Sequence, residues 1–337
     1  MSKHVHLILM LFLCAFVPKT WAGLSCTVTG GTVTMTISDI TVQRDVPLNT
    51  PLTTDLYGSA YAGWTNCSNY IGGIKSYLAD SGTKDGTRKI YKTNIPGVGI
   101  DIGVYGATSN GYIATYFIGE TPGWYGSDWV ESTGLNGCCN NLAQTAIVKL
   151  VKIGDITSGK LSGTFGSFIV GNIAGATVPT PDSWGPEIPI QFAGTNITQL
   201  KCSISTPNLA FSLGNVSADE FGNTPGTTSM TISTKDLSLN CDPGTNINVT
   251  LSGTQSQDTT DDSVLALSAS EGNEVAGGVG VQLLYGDNPL HINKMLNLKT
   301  SSGGIETLPI TARYYQTKNT VIAGQANTTA TLNITYQ

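Results

Sequence analysis

Between Gly119 and Asn141 the chain packs Glu120, Trp124, Tyr125, Asp128, Trp129, Asn136, Asn140 and Asn141 into a short span with no strand period, and Gln144 follows shortly after. Aromatic faces stack on sugar rings, and carboxylates and amides hydrogen-bond hydroxyls, so this mixture has the chemistry of carbohydrate recognition. A plainer reading of the same residues is structural: Trp124 and Trp129 plug the end of a sandwich while the asparagines serve turns.

Catalytic chemistry finds less support. His4 and His6 lie in the first residues, read below as a removable leader, which leaves His291 as the one histidine for Ser-His-Asp or Cys-His chemistry; no G-x-S-x-G elbow accompanies it. Glu120 and Glu131 could serve as a glycosidase carboxylate pair only at a separation of roughly 5 to 9 Å. No C-x-x-C pair or Cys/His cluster points to zinc, and neither a metal nor a cofactor is expected. The expectation is a binding protein and not an enzyme.

The elements that must hold these residues follow from composition. Residues 1–22 read as an export leader: Lys3, an apolar run from Leu7 to Val17, Pro18, then the small-residue site Thr20-Trp21-Ala22. That run is too short for a membrane span, and no later stretch reaches the roughly 18 apolar residues a span needs. Loss of Lys3 and Lys19 leaves 15 basic residues against 23 acidic ones, a charge of about −8. This disfavours nucleic acid as a partner. Only 12% of residues are charged, Gly, Thr, Ser and Asn abound, and no long helical periodicity occurs. An all-β protein with many turns is predicted, and about 315 residues suit two domains better than one.

Strand-like runs occupy 32–37, 89–91, 99–104, 112–117, 146–153 and 161–170. The proline-rich stretch Thr177 to Pro189 then leads into Ile190-Gln191-Phe192, and 193–199 is small and polar, which puts the boundary at about residues 196–200. The domains are therefore expected at 23–196 and 200–337, with 1–22 as the leader. In the second, a first strand near 209–213 precedes strands at 230–232, 247–251, 279–285 and 308–315. The last strand carries Ala330, Leu332, Ile334 and Tyr336 on one face, with threonines and asparagine on the other. That makes about six strands, one fewer than a complete immunoglobulin-type sandwich, and the missing one should be the last. A hydrophobic groove beside an open edge is the expected result.

On these residues the second block resembles the pilin domain of chaperone-usher fimbrial subunits. Cys202 and Cys241, Gly278-Val279-Gly280-Val281-Gln282-Leu283, Thr311-Ala312-Arg313-Tyr314-Tyr315, Ala323-Gly324 and the penultimate Tyr336 carry the resemblance. It implies a Cys202–Cys241 disulfide and donor-strand complementation: a periplasmic chaperone, then an adjacent subunit at the outer-membrane usher, inserts a strand along Ala330, Leu332, Ile334 and Tyr336. The first block is similar to the receptor-binding domain of two-domain tip adhesins of the type 1 fimbrial kind. Cys26 and Cys67, 41 residues apart, 91–99 and 149–154 carry that similarity, which implies a Cys26–Cys67 disulfide. The fold expected is thus two immunoglobulin-like β-sandwiches, the C-terminal one an incomplete pilin fold. If these pairs form, Cys138 and Cys139 have only each other, as a vicinal disulfide; the alternative pairs Cys67 with one of them and Cys26 with the other.

Only Gly23, Leu24 and Ser25 precede Cys26, where a donor arm would need roughly ten residues. The chain is therefore expected to receive a strand and give none, at the tip of a fimbria on the cell surface, reached through the periplasm. The stretch Gly119-Glu120-Thr121 through Trp129 to Cys138 is similar to N-acetylglucosamine-binding fimbrial lectins, which implies sugar contacts near Glu120 and near Asn140, Asn141 and Gln144. Mannose is disfavoured, because Cys67 is followed by Ser68-Asn69-Tyr70 without the expected aspartate. A host glycan or glycoprotein is the expected receptor, with a matrix protein such as collagen as the alternative.

Overall fold

In the computed structural model, residues 26–59, 62–66, 70–84, 87–108, 113–120, 126–131, 141–172, 184–270 and 272–337 are described. The leader 1–22 and Cys67, Cys138 and Cys139 lie outside these residues. Strands dominate, and among the described residues helix is confined to a single 3₁₀ turn, Ala218–Glu220. The chain is all-β, as composition predicted.

The first half folds into two sheets. One runs, in spatial order, Thr27–Thr29, Ala62–Thr65, Asn141–Lys152, Val98–Thr108, Arg88–Lys92 and Asp80–Lys84, with Leu56–Tyr57 and Ile113–Phe117 as side pairings. The other runs Trp129–Glu131, Tyr70–Ser76, Gly159–Asn172, Ile188–Leu200 and Val33–Met35, with Ile40–Gln43 also paired to Ile188–Leu200. Inward residues of both sheets, among them Ile100, Ile102, Val104, Val148 and Leu150 against Ile74, Val130, Phe168 and Ile190, make one core. Face-to-face burial of this kind drives the sandwich at about 25 cal/mol per Å² of apolar area. Trp64 is fully buried and donates its indole N–H to the Pro186 carbonyl at 3.0 Å, so the proline-rich stretch is tied into the sheet edge.

Residues 196–200 belong to a strand. Ile188–Leu200 continues to Leu200 because Ile40–Gln43 pairs with it in parallel, Ile197 opposite Ile40 and Leu200 opposite Gln43. The polar look of 193–199 comes from one solvent-facing side, while Thr195, Ile197 and Leu200 are buried. The next strand starts at Cys202.

The second half has a large sheet, Cys202–Ile204, Thr228–Cys241, Gly304–Gln316, Val279–Tyr285 and Val264–Leu265, with Asn288–Pro289 at Val279–Tyr285. Facing it is a sheet of three strands only: Met295–Thr300, Asn246–Ser252 and Thr331–Tyr336. Cys202 stands opposite Cys241 in the ladder and is disulfide-bonded to it. Cys26 is also disulfide-bonded.

The expected strand at 209–213 does not form. Leu209, Phe211 and Leu213 turn toward the core while Ala210 and Ser212 are exposed, so the strand period is there, but residues 205–217 join no ladder. A strand needs a neighbour for its N–H and C=O groups as well as an apolar face. The strand Met295–Thr300, by contrast, has no counterpart among the runs read from the sequence: its residues are exposed or half-buried, too weakly apolar to stand out.

Near the junction Glu306 accepts from Lys299 Nζ at 2.6 Å, from Ser301 Oγ at 2.6 Å and from Ser302 N–H at 3.0 Å. These bonds, Lys299 first, bring its carboxyl down to about 2. A carboxyl depressed in the folded state stabilises above its unfolded value and loses that contribution as pH falls toward the folded one. Glu306→Gln should therefore lower the melting temperature at pH 7, and the gap from the parent protein should shrink as pH is taken from about 4.5 to about 2. Thermal melts across that range check it.

Candidate functional site

Two regions of the described structure offer surfaces for a ligand. The first lies in the second half, where three strands face a wider sheet. Leu283 beside Ala312, and Val281 beside both Tyr314 and Leu265, form a buried apolar strip of the large sheet. This strip floors a cleft of about 760 Å³. One wall is 204–214 and the other 326–334, including Leu332 and Ile334. Thr331–Tyr336 pairs with Asn246–Ser252 on one side, Ile334 opposite Val249 and Leu332 opposite Leu251, and its other side borders the cleft. Leu332 and Ile334 are half-buried, Tyr336 is buried, and Ala330 lies exposed just outside the strand. An apolar floor between an edge strand and a strand-like segment without a ladder has the shape of a missing strand.

The second region lies on the outer face of the first half. Trp129 stands opposite Lys75, Lys75 opposite Ser167, and Ser167 opposite Pro189. Their neighbours Val130, Ile74, Phe168 and Ile188 point into the core, so alternation turns this row outward. Over the row lies Trp184, edge-on to Trp129 with ring centroids 5.1 Å apart. Glu187 gathers donors there: Ser167 Oγ at 2.6 Å, Lys75 Nζ at 3.4 Å, and the Tyr77 hydroxyl. Burial pushes the Glu187 carboxyl up, but these partners outweigh it and hold the group below its usual range. Burial and then Glu187 raise the Tyr77 phenol. Tyr77 is half-exposed, and Lys75 sits 5.6 Å from its ring centroid. Gly166 lets the strands close up here, since a Cβ would sit 2.3 Å from the Lys75 carbonyl oxygen.

The expected contact residues fall in different environments. Trp129 belongs to the row just described. Asp128 is exposed, accepts from Ser127 Oγ at 3.0 Å, and lies 4.0 Å from Lys89 Nζ. Glu120 is held by Arg88 Nε at 3.0 Å and by the Phe117 N–H at 2.8 Å. Gln144 is fully buried in Asn141–Lys152, and Asn141 opens that strand opposite Thr65. Trp124, Tyr125, Asn136 and Asn140 lie outside the described residues. Glu131 is fully buried. Trp184, Glu187, Lys75 and Tyr77 carry no sequence motif; an aromatic and an acid inside a proline-rich stretch are the available signal for the first two.

Asp261, Asp262 and His291 bring their donor atoms within 4.8 Å of one another. Lys294 Nζ already sits 2.6 Å from Asp262 Oδ2, His291 bonds the same carboxylate, and Ser263 donates to Asp261 at 2.6 Å. The donor atoms of the cluster are already engaged from within, and it is not assigned a metal.

Comparison with known proteins bears on both halves. The family model described as fimbrial protein matches residues 190–337. A fimbria adhesin protein of Klebsiella pneumoniae is 27% identical over 274 residues, covering 76% of this chain and 74% of that protein. The fimbrial-like protein SfmA of Escherichia coli is 31% identical over 158 residues, 44% of this chain and 84% of SfmA. The crystal structure of the CupB6 tip adhesin from Pseudomonas aeruginosa aligns with 92% of this chain and 93% of its own, at 16% identity and a TM-score of 0.36. The chain belongs to the fimbrial protein family.

Arg88 is the charge on which the end of the first sandwich depends. Besides Glu120 it lies 3.6 Å from Asp101, whose carboxylate is buried, and its guanidinium sits 3.6 Å from the centre of the Phe117 ring. Arg88→Ala should cost about 3 kcal/mol, the usual result of removing one charged partner of a buried carboxylate. Arg88→Lys should recover only part of that, since one ammonium cannot serve two carboxylates and a ring face as the fork does. Urea denaturation of the three proteins measures both.

Proposed function

We propose that this protein is a fimbrial adhesin, carried through the periplasm to the cell surface. Its second half, about 200–337, joins the fibre by accepting a strand from a neighbouring subunit. Its first half, about 23–196, binds the receptor at the fibre tip. The observation that carries the reading is the cleft between 204–214 and Thr331–Tyr336, floored by Leu283, Ala312, Val281, Tyr314 and Leu265. An extended peptide with apolar residues at every second position would put those side chains on the floor and its backbone against the edge. The same surface would be covered by a chaperone strand before assembly at the usher. Family membership and the similarity to a Klebsiella fimbria adhesin support this role.

The test uses the full mature chain and a synthetic ten-residue peptide alternating valine or isoleucine with threonine. The peptide should raise the melting temperature, with a stabilisation of about 2.7 kcal/mol at a hundredfold excess over its Kd. Leu283→Glu, which puts a charge on the floor, should abolish the effect. No stabilisation of the parent protein by any alternating peptide would refute the reading.

For the receptor we favour a glycan, bound at the outer row that includes Trp129. Two indoles at right angles beside Glu187, Lys75 and Tyr77 offer a face for a sugar ring and donors and acceptors for its hydroxyls. On a glycan and matrix-protein array, Trp129→Ala should weaken binding about tenfold, which corresponds to about 1.4 kcal/mol. Unchanged glycan binding would move the site elsewhere, and binding to collagen alone would replace the glycan with a matrix protein.

A further inference from the structure

The edge of Thr331–Tyr336 that borders the cleft is already occupied at one end, and by the first half of the chain. The Tyr336 N–H donates to Asp45 Oδ2 at 2.8 Å, and the Asp45 N–H donates to the Tyr336 carbonyl at 3.0 Å. Asp45 thus takes both backbone groups of one strand residue, as a paired strand would. In an extended strand the N–H and C=O of one residue point to the same edge, and those of the next point to the other. Tyr336 stands opposite Ile247 in the three-stranded sheet, yet its own groups go to Asp45. They therefore point away from Asn246–Ser252, and by alternation so do those of Ile334 and Leu332, both of which line the cleft.

The contact is built to last. Arg44 grips Asp45 through Nε at 2.9 Å and Nη2 at 3.0 Å, and its guanidinium lies 4.3 Å from the centre of the Tyr336 ring. Lys152 Nζ donates to the Arg44 carbonyl at 2.5 Å. Gln43, one residue earlier, bridges to the Gly244 carbonyl at 2.8 Å and accepts from the Asn246 N–H at 3.1 Å. Tyr336 itself is buried and its hydroxyl reaches the Cys202 carbonyl.

We infer that Asp45 is an edge cap: it ends the ladder that an incoming strand can build on Thr331–Tyr336, so that the strand pairs at Leu332 and Ile334 and stops short of Tyr336. The inference rests on the strand-accepting role proposed above, and adds that the first half of the chain sets the register of the partner strand. An uncapped edge with a period of two would accept a partner shifted by two residues with the same side chains facing the floor. Asp45 removes that choice at one end. The partner is an extended segment of another polypeptide, apolar at alternate positions, whose pairing length is limited by the cap.

The test uses the full chain, the ten-residue alternating peptide, and versions extended by two residues at either end, with affinity read by titration. For the parent protein neither extension should improve Kd by more than about twofold. For Asp45→Ala, which removes the carboxylate acceptor and loosens the loop, one of the two extensions should improve Kd about tenfold. Asp45→Asn keeps an acceptor oxygen and should behave as the parent. Hydrogen exchange without peptide provides a second reading: the Tyr336 amide should be protected in the parent and exchange at least tenfold faster in Asp45→Ala, while the Ile334 amide is unprotected in both. Equal length dependence in parent and Asp45→Ala, or equal exchange of Tyr336 and Ile334 in the parent, overturns the cap. Failure of every peptide to bind any of the proteins, with Tyr336 still protected, overturns the strand-accepting role and the cap with it.

Discussion

A β-strand has two demands, a cover for its apolar face and a partner for its backbone groups, and in the second half of this protein they are met unequally. Five main strands form the large sheet and three face it. The apolar floor and the strand edge beside it therefore open on the same cleft. The segment 209–213 shows the effect most plainly, since its side chains alternate as in a strand while its backbone finds no ladder. In a monomer such an edge invites uncontrolled pairing.

The first half of the chain reaches the end of this edge. Ile188–Leu200 runs without a break to the second half, and Ile40–Gln43, paired alongside it, delivers Gln43, Arg44 and Asp45 to Gly244, Asn246 and Tyr336. The hydrogen bonds there join the Gln43 and Asp45 side chains to backbone groups of the second half, so they depend on those side chains as well as on strand geometry. Arg44 supplies the rest by neutralising Asp45 and lying over the Tyr336 ring. Burial alone would push the Asp45 carboxyl up; Arg44 and the Tyr336 N–H bring it below its usual range and keep it an acceptor.

The outer row of the first sandwich follows a different logic. Its residues come from four strands and a proline-rich segment, brought together by register: Trp129 opposite Lys75, Lys75 opposite Ser167. Ser167 is buried beneath the cluster although it faces away from the core, because Glu187 and Tyr77 cover it.

Much of this was legible in the sequence where a period could speak for itself. The strands at 99–104, 146–153, 279–285 and 308–315 carry enough apolar residues to be read directly, and the closing strand's alternation placed Leu332, Ile334 and Tyr336 on one face. Composition alone dictated an all-β chain. Tertiary structure decided what depends on neighbours: that 209–213 stays out of any ladder, that 196–200 is strand, that Gln144 is buried and Glu120 is held by Arg88, and that Trp129 meets Trp184. Period along a chain reports which side chains share a face. Which backbone lies across the edge is settled by residues such as Asp45, 291 positions from the Tyr336 it caps, and no local pattern encodes that pairing.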